Sequence, residues 1–423
     1  MVKFAVQHRK TVGGLLVCYG VLLLVATVGM TAVARLPKEA IAGHCRTSVG
    51  QLCERGDAPE IGNLPLLRID TFTDMIMLNV AYCMGESMPV EAAMRCSFFT
   101  DDNMDVFTTT PALVEGVTDT VDAFFLDYGR YWHGYQLFLR PLLTIATYHD
   151  ICLLSACLQT VLLVISLMLI WKRCSARAAA FLLLSLSAVA FPISLLCLQF
   201  STCFLLMYLG IIAVLAIPIT TQRAVYLFFT IGALTSFFDL LTTPQLTLGI
   251  PLAALLLADR RKADMRHILL LSTCWMAGYA LLWLSKLPVA WLLTDDNLAG
   301  EFLANAVGRS SAGLSGLFEL VAEKLGGNAV MVVGSLIVLG IACLLGFCLW
   351  MWQRIRHGAY QPDRRYWLIS IALLVPCWYL LMLQHSIIHY WFTWRALAVT
   401  LFCLLLFCFD RTGRPIAQQI KPL

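Results

Sequence analysis

The chain has 423 residues, of which 60% are apolar and only 13% charged, and its mean hydropathy is +0.78. These values exclude a soluble single domain. The formal charge of +4 is small, and the basic residues lie in short clusters between apolar runs, an arrangement that membrane topology explains without a nucleic-acid partner.

Ten spans are predicted, at 12–33, 151–171, 178–197, 202–219, 224–241, 245–258, 269–285, 329–352, 367–384 and 392–409. As helices, apolar runs of about 18 to 24 residues cross a hydrocarbon core about 30 Å thick. The run at 245–258 is shorter, follows Pro244 and contains Pro251, so a bent or re-entrant helix also fits it. The connecting segments alternate in charge. Lys3, Arg9 and Lys10 precede the first span; Lys172, Arg173, Arg177, Arg223, Arg260, Arg261, Lys262, Arg266, Arg354, Arg356, Arg364, Arg365, Arg411, Arg414 and Lys421 recur in every second connection, joined by only four of the 26 acids. Retention of Lys and Arg on the inner side then places both termini in the cytoplasm of a multi-pass cell-membrane protein. The expected class is all-α, a polytopic transmembrane bundle with a long helical outer loop after its first span.

The chain divides into a cytoplasmic arm and first span (1–33), an outer loop (34–150), spans two to seven (151–285), a second outer segment (286–328), and the last three spans with a cytoplasmic tail (329–423). Ala32-Val33-Ala34 resembles a small-residue cleavage site, but an apolar run of about 22 residues exceeds the 7 to 15 usual in a signal peptide, so an uncleaved anchor is expected. No glycine-rich phosphate loop occurs in the inner connections, which disfavours an ATP-driven transporter or a kinase. None of the six asparagines lies in an Asn-x-Ser/Thr acceptor, in keeping with a bacterial setting.

In the first outer loop, Cys45, Cys53, Cys83 and Cys96 allow three disulfide connectivities, with Cys45–Cys53 and Cys83–Cys96 plausible and free thiols equally allowed. Asp70 and Asp74, four apart, would project from one face of a shared helix, where two carboxylates could share a proton, bind a divalent cation, or act as base and orienting group. The bland reading is that Thr71 or Thr73 caps a helix and Asp74 favours its first turn. Asp101, Asp102 and Asp105 have spacing compatible with calcium but lack the glycine and distal glutamate of an EF-hand loop. The string Tyr128 to Tyr135, including Tyr131, Trp132 and His133, together with Arg130 and Arg140, suits sugar stacking and phosphate binding. An interfacial aromatic belt explains the same composition.

Farther along, Asp239 stands at the outer end of the fifth span, able to pair with Arg395 or face the same cavity, and Lys286 at the end of the seventh is read as snorkelling. Leu314 to Leu325 reads as a helix lying on the membrane surface or packed on the other outer segment. His385 and His389 have metal-chelating spacing if helical, or could donate to a phosphate. Arg395 lies inside an apolar run, where an unpaired charge costs about 2.5 to 3.5 kcal/mol, so an anionic ligand or carboxylate is expected beside it.

This arrangement of a first span, an acidic outer loop, a bundle of spans and outer histidines and arginine resembles the GT-C membrane glycosyltransferases. The likeness is architectural, covers most of the chain and rests on no short motif. It implies transfer of a sugar from a polyprenyl-phosphate donor to a cell-envelope glycan or lipid-linked acceptor. In that mapping Asp70 or Asp74 is the base; Arg395, His385, His389 and Arg140 hold the donor phosphate; and Tyr131, Trp132, His133 and Asp239 contact sugar or acceptor. The sequence requires no cofactor, a divalent cation being compatible with it, and leaves the oligomeric state open. O-antigen-type polymerases or ligases share outer Arg and His residues but usually carry their long loop late. A lipid or solute transporter would place polar or broken helices at the midplane.

Overall fold

A computed structural model describes residues 2–85, 88–259, 264–294 and 366–409. The surface helix expected at 314–325, the span expected at 329–352, most of the second outer segment and the basic clusters at 260–262, 354–365 and 411–421 lie outside the described residues. The described chain is mostly helical with one two-stranded sheet.

Helix α1 (Val2–Ala34) is followed by α2 (Lys38–Arg55), which Pro37 starts and Gly56, at φ 85°, ends. Short 3₁₀ turns at Ile61–Asn63 and Pro65–Leu67 lead to α3 (Thr71–Cys83), then α4 (Pro89–Arg95), β1 (Phe98–Thr100), α5 (Val106–Glu115), β2 (Phe124–Leu126) and α6 (Gln136–Leu143). β1 and β2 pair antiparallel with Phe99 opposite Phe125. Asn79, fully buried on α3, holds this region together: its amide nitrogen donates to the Phe99 carbonyl and the Thr110 hydroxyl, both at 2.8 Å, and its oxygen accepts from the Phe99 amide at 2.8 Å. One side chain thereby satisfies polar groups of a strand edge and of α5 that burial would otherwise leave orphaned.

The bundle follows: α7 (Tyr148–Arg173), α8 (Ala176–Ala188), α9 (Leu198–Leu215), α10 (Thr221–Phe238), α11 (Gln245–Ala258) and α12 (Met265–Thr294). After the undescribed stretch come α13 (Tyr366–Ala372), α14 (Leu374–Leu381), α15 (Leu383–Ile388), α16 (Tyr390–Thr393) and α17 (Leu397–Phe409), with a 3₁₀ turn at Trp394–Ala396. Among the described residues, five helical stretches are long and apolar enough to cross a membrane: Lys10–Ala34, Tyr148–Arg173, Leu198–Leu215, Met265–Thr294 and Tyr390–Phe409. Ala176–Ala188, Gln245–Ala258 and Trp367–Tyr379 are apolar but shorter.

Several expected spans differ from what is observed. The run at 178–197 is not one helix: α8 stops at Ala188 and a 3₁₀ turn takes over at Phe191–Leu195, because Pro192 lacks an amide proton and disfavours helix at the preceding residue. Its 13 residues extend only about 20 Å. The run at 367–384 is divided among α13, α14 and α15. Helix α10 has 18 residues, but Gln222 and Arg223 in its first turn lower its apolarity.

Helix contacts within the bundle use small residues. A Cβ added to Gly232 of α10 would strike the Trp275 carbonyl, and one on Gly278 of α12 would strike the Phe229 carbonyl. The two backbones therefore approach directly, giving van der Waals contact that larger side chains would prevent. Helix α11 is buried along nearly its whole length, so its apolar run reflects a position inside the bundle as much as any contact with lipid.

Cys45, Cys53, Cys83 and Cys96 are thiols, not disulfides. Cys83 donates to the Asn79 side-chain oxygen and Cys96 to the Ala93 carbonyl. Lys286 is buried rather than snorkelling: its ammonium bonds the Tyr131 carbonyl and lies 5.8 Å from the Trp132 ring centroid.

Candidate functional site

Asp70 precedes the first turn of α3 and caps it. Its carboxylate accepts from the Thr73 amide and the Thr73 hydroxyl, each at 3.0 Å. The cap is thus Asp70 itself rather than Thr71 or Thr73, and the preference for a short acceptor at this position explains why the helix begins there. Trp391 of α16 reaches across from the far end of the sequence, its indole N–H 3.4 Å from Asp70 Oδ2. The Arg68 guanidinium lies 5.2 Å from the Trp391 ring centroid and pairs with Glu60 at 3.1 Å. Only 4% of Asp70 is exposed. Burial pushes its carboxyl up, opposed by the two Thr73 bonds, Trp391 and Arg68.

Asp74 is directed elsewhere. It accepts from the Tyr148 hydroxyl and from the Leu198 and Gln199 amides, at 3.0 and 2.9 Å, at the start of α9. Cys197, the residue flanking α9, makes no side-chain cap bond, so Asp74 caps that helix from a distance, its carboxyl oxygens accepting from the amides of the first turn. Burial pushes the Asp74 carboxyl up to about 7, opposed by Tyr148 and the two amides and assisted by the nearby Asp70 charge. The expected one-face carboxylate pair does not form. Asp70 lies outside the helix, and each carboxylate has its own donors.

Arg395 is fully buried in the 3₁₀ turn before α17. Nη1 donates to the Trp391 carbonyl, and the guanidinium carbon stands 4.6 Å from the Phe200 ring centroid. Asp70 is within electrostatic range. Nε and Nη2 have no hydrogen-bond partner among the described residues. The alternative partner expected for this arginine, Asp239, uses both oxygens on Thr242: one accepts from the amide at 2.9 Å, the other from the hydroxyl.

His385 bonds the Leu241 carbonyl through Nε2 at 2.9 Å, joining the Asp239 loop to this end of the bundle. Its ring centroid is 4.8 Å from that of His389, which stacks on Phe392 at 5.1 Å. Helix α15 ends at Ile388, but the His389 amide still donates to the His385 carbonyl at 3.0 Å, so the two imidazoles stand side by side one turn apart at the end of that helix. Among the described residues no group of three or more His, Cys, Asp or Glu side chains is placed to hold a metal ion. Asp101 instead accepts from the Asn103 and Asp105 amides, and Asp105 caps α5.

The 128–135 string forms a buried joint. Trp132 donates to the Leu282 carbonyl at 2.7 Å, Tyr131 stacks on Trp283 with centroids 6.3 Å apart, and His133 bonds the Tyr135 hydroxyl and the Tyr128 carbonyl. Burial and the charges of Lys286 and Arg130 hold the His133 imidazole well below its usual range, so it is neutral. The Gly134 amide donates to the Phe237 carbonyl at 2.8 Å, with no room for a Cβ between them. These contacts join the segment between α1 and α7 to α10 and α12. Arg140 is placed apart from Arg395: it donates to the Leu36 carbonyl at 2.5 Å and lies near Cys45 and Cys83. Burial lowers its guanidinium to about 10, leaving it charged at neutral pH.

The structure therefore brings Asp70, Arg395, His385 and His389 to one end of the helical bundle, with Trp391 and Phe200 between them. Trp391 lies within the string that carries His385, His389 and Arg395, whereas Phe200, Gln199 and Gln245 were not expected at this end. The two glutamines stand in the first turns of apolar helices, which was a readable signal. An acid that can accept a proton, a buried cation and two imidazoles beside aromatic rings suit an anionic substrate whose reaction moves a proton. No family model matches the chain, and neither a curated protein nor a solved structure matches it.

Proposed function

We propose that the protein is a GT-C-type membrane glycosyltransferase that moves a sugar from a polyprenyl-phosphate donor to a cell-envelope glycan or lipid-linked acceptor. It works at the outer face of a bacterial cytoplasmic membrane, with about ten spans and cytoplasmic termini. The observation that carries this reading is Arg395: a buried guanidinium with two nitrogens unpartnered among the described residues, at the same end of the bundle as Asp70. A cation in such a site is stabilised by an anion, and a lipid phosphate satisfies Nε and Nη2 together in the planar fork geometry that guanidinium prefers.

In this mechanism Asp70 takes the proton of the acceptor hydroxyl as that oxygen bonds the anomeric carbon. The bond from that carbon to the phosphate oxygen breaks with its electron pair remaining on oxygen, and the sugar is inverted. Arg395, with His385 and His389, stabilises charge developing on the departing phosphate. Burial suits Asp70 to this task, since a raised carboxyl is a stronger proton acceptor once ionised. Asp74 and the Tyr131, Trp132 and His133 joint support the site rather than touch substrate.

The test is mass spectrometry of envelope glycans and polyprenyl-linked sugars in a deletion strain carrying wild type, Asp70→Asn or Arg395→Ala at matched expression. Wild type is expected to restore one sugar substituent, while the variants leave it missing and its lipid-linked donor elevated. Unchanged glycans and donor lipids on deletion would overturn the proposal and favour transport.

A further inference from the structure

Gln245 opens α11 with 6% of its surface exposed, and neither its side-chain nitrogen nor its side-chain oxygen has a hydrogen-bond partner among the described residues. Buried side-chain amides in folded proteins are ordinarily bonded at one end at least. Its position relative to Arg395 follows from the packing. A Cβ on Gly249 of α11 would collide with Val399 of α17, and His385 of α15, separated from α17 by α16 and a 3₁₀ turn, bonds Leu241, just before α11. The two helices therefore start at the same end and run alongside each other. Gln245 and Arg395 each stand four residues before a member of the Gly249–Val399 contact, at this shared end of the two helices.

Further unpartnered polar atoms occur on the neighbouring segments. Gln199 Oε1 and Thr202 Oγ1 flank Phe200, whose ring lies beneath the Arg395 guanidinium, and Trp394 Nε1 is adjacent to Arg395 in sequence. The chemistry of these groups differs in a useful way. A guanidinium only donates, matching phosphate oxygens, which only accept. A carboxamide both donates and accepts, matching a hydroxyl, which does both.

We propose that Gln245 is a specificity-determining residue that reads a hydroxyl of the donor's sugar while Arg395 holds its phosphate. This inference rests on the glycosyltransferase reading above and adds the part of the site that distinguishes one sugar from another. A site with a buried amide committed to a hydroxyl discriminates against epimers, because the wrong epimer leaves that amide unpaired again.

The experiment uses the full chain in lipid nanodiscs and measures binding of farnesyl phosphate and of its glucosyl, mannosyl and galactosyl esters. Wild type is expected to prefer one ester over its epimers by about tenfold or more, the effect of one well-placed hydrogen bond. Gln245→Met, similar in volume and without the amide, is expected to abolish that preference while leaving farnesyl phosphate affinity within about twofold. Arg395→Lys is expected to weaken all four ligands. If Gln245→Met loses monodisperse elution, Gln245→Asn carries the same comparison by retracting the amide one methylene. A preference that survives removal or retraction of the amide overturns the role of Gln245 and leaves the glycosyltransferase reading standing, as does an equal loss for farnesyl phosphate and its esters. A wild type that binds neither farnesyl phosphate nor any ester overturns both.

Discussion

Asp70 and Asp74, one helical turn apart, have separate tasks because of what surrounds each. Asp70 is bonded by Thr73 and approached by Trp391, whereas Asp74 is held by Tyr148 and two backbone amides of α9. Asp70→Asn is expected to lower transfer by about 10² to 10⁴ with the protein still folded, the usual contribution of a positioned base. Because burial raises the Asp70 carboxyl, wild-type activity should climb with pH through a limb displaced above the ordinary carboxylate range. A rate profile with its limb near pH 4 would contradict that assignment. Asp74→Ala should act on stability instead. Leaving the Leu198 and Gln199 amides and the Tyr148 hydroxyl without their acceptor costs about 1 to 3 kcal/mol per buried group, read as a lower unfolding temperature in detergent. The pH dependence of that stability has a definite sign. With a folded value of about 7 against 3.8 in its absence, the carboxyl keeps its proton in the folded state where the unfolded chain has released it. Its favourable contribution is complete below the unfolded value and is lost as pH rises toward about 7. Asp74→Asn should flatten the slope of unfolding temperature against pH across that interval.

The α10–α12 pairing is the plainest consequence of small residues among the elements. Gly232→Val or Gly278→Val places methyl groups against a carbonyl of the facing helix and should destabilise by about 1 to 3 kcal/mol, the range for overpacking. An unchanged thermal midpoint would mean that the two helices pack less closely. Apolar runs located the long helices well: α7 and α12 contain the spans expected at 151–171 and 269–285 and extend beyond them, and α9 covers 202–215 of the span expected at 202–219. It failed where an apolar run is interrupted by backbone chemistry. Pro192 ends a run that hydropathy reads straight through, and 367–384 contains breaks that no polar residue announces. The site was legible in part. Charge inside an apolar run drew attention to Arg395, and a four-residue spacing drew attention to His385 and His389. Aromatic richness at 128–135 was a poor guide, because Tyr131, Trp132 and His133 serve packing and internal hydrogen bonds, and composition is the same for either use.

At the scale of the whole molecule, residues 391 and 70 meet although 321 positions separate them, and the loop between α1 and α7 is tied to both α9 and α12. The loop and the bundle form one hydrogen-bonded unit at the site. The proposed orientation puts that loop outside, and its cysteines provide a direct check. Cys53 is exposed while Cys45 is buried. A membrane-impermeant maleimide added to intact spheroplasts is expected to label Cys53, shown by loss of labelling in Cys53→Ser, and to leave Cys45 unmodified until the protein is denatured. Protection of Cys53 until the membrane is permeabilised would reverse the topology and remove the outer-face chemistry with it.

The distant cap on α9 also bears on biosynthesis. Asp74 precedes Leu198 by 124 residues, so in translation the acceptor exists long before the amides it will bond. Until α9 arrives, the loop carries a carboxylate, prepared for burial, whose helix partner has not been made. A ribosome that stalls before α9 leaves that carboxylate accessible to water and the loop without one of its anchors. Proteases would then meet an incompletely fastened domain, making the Asp74–α9 contact a marker by which a finished chain differs from an abandoned one.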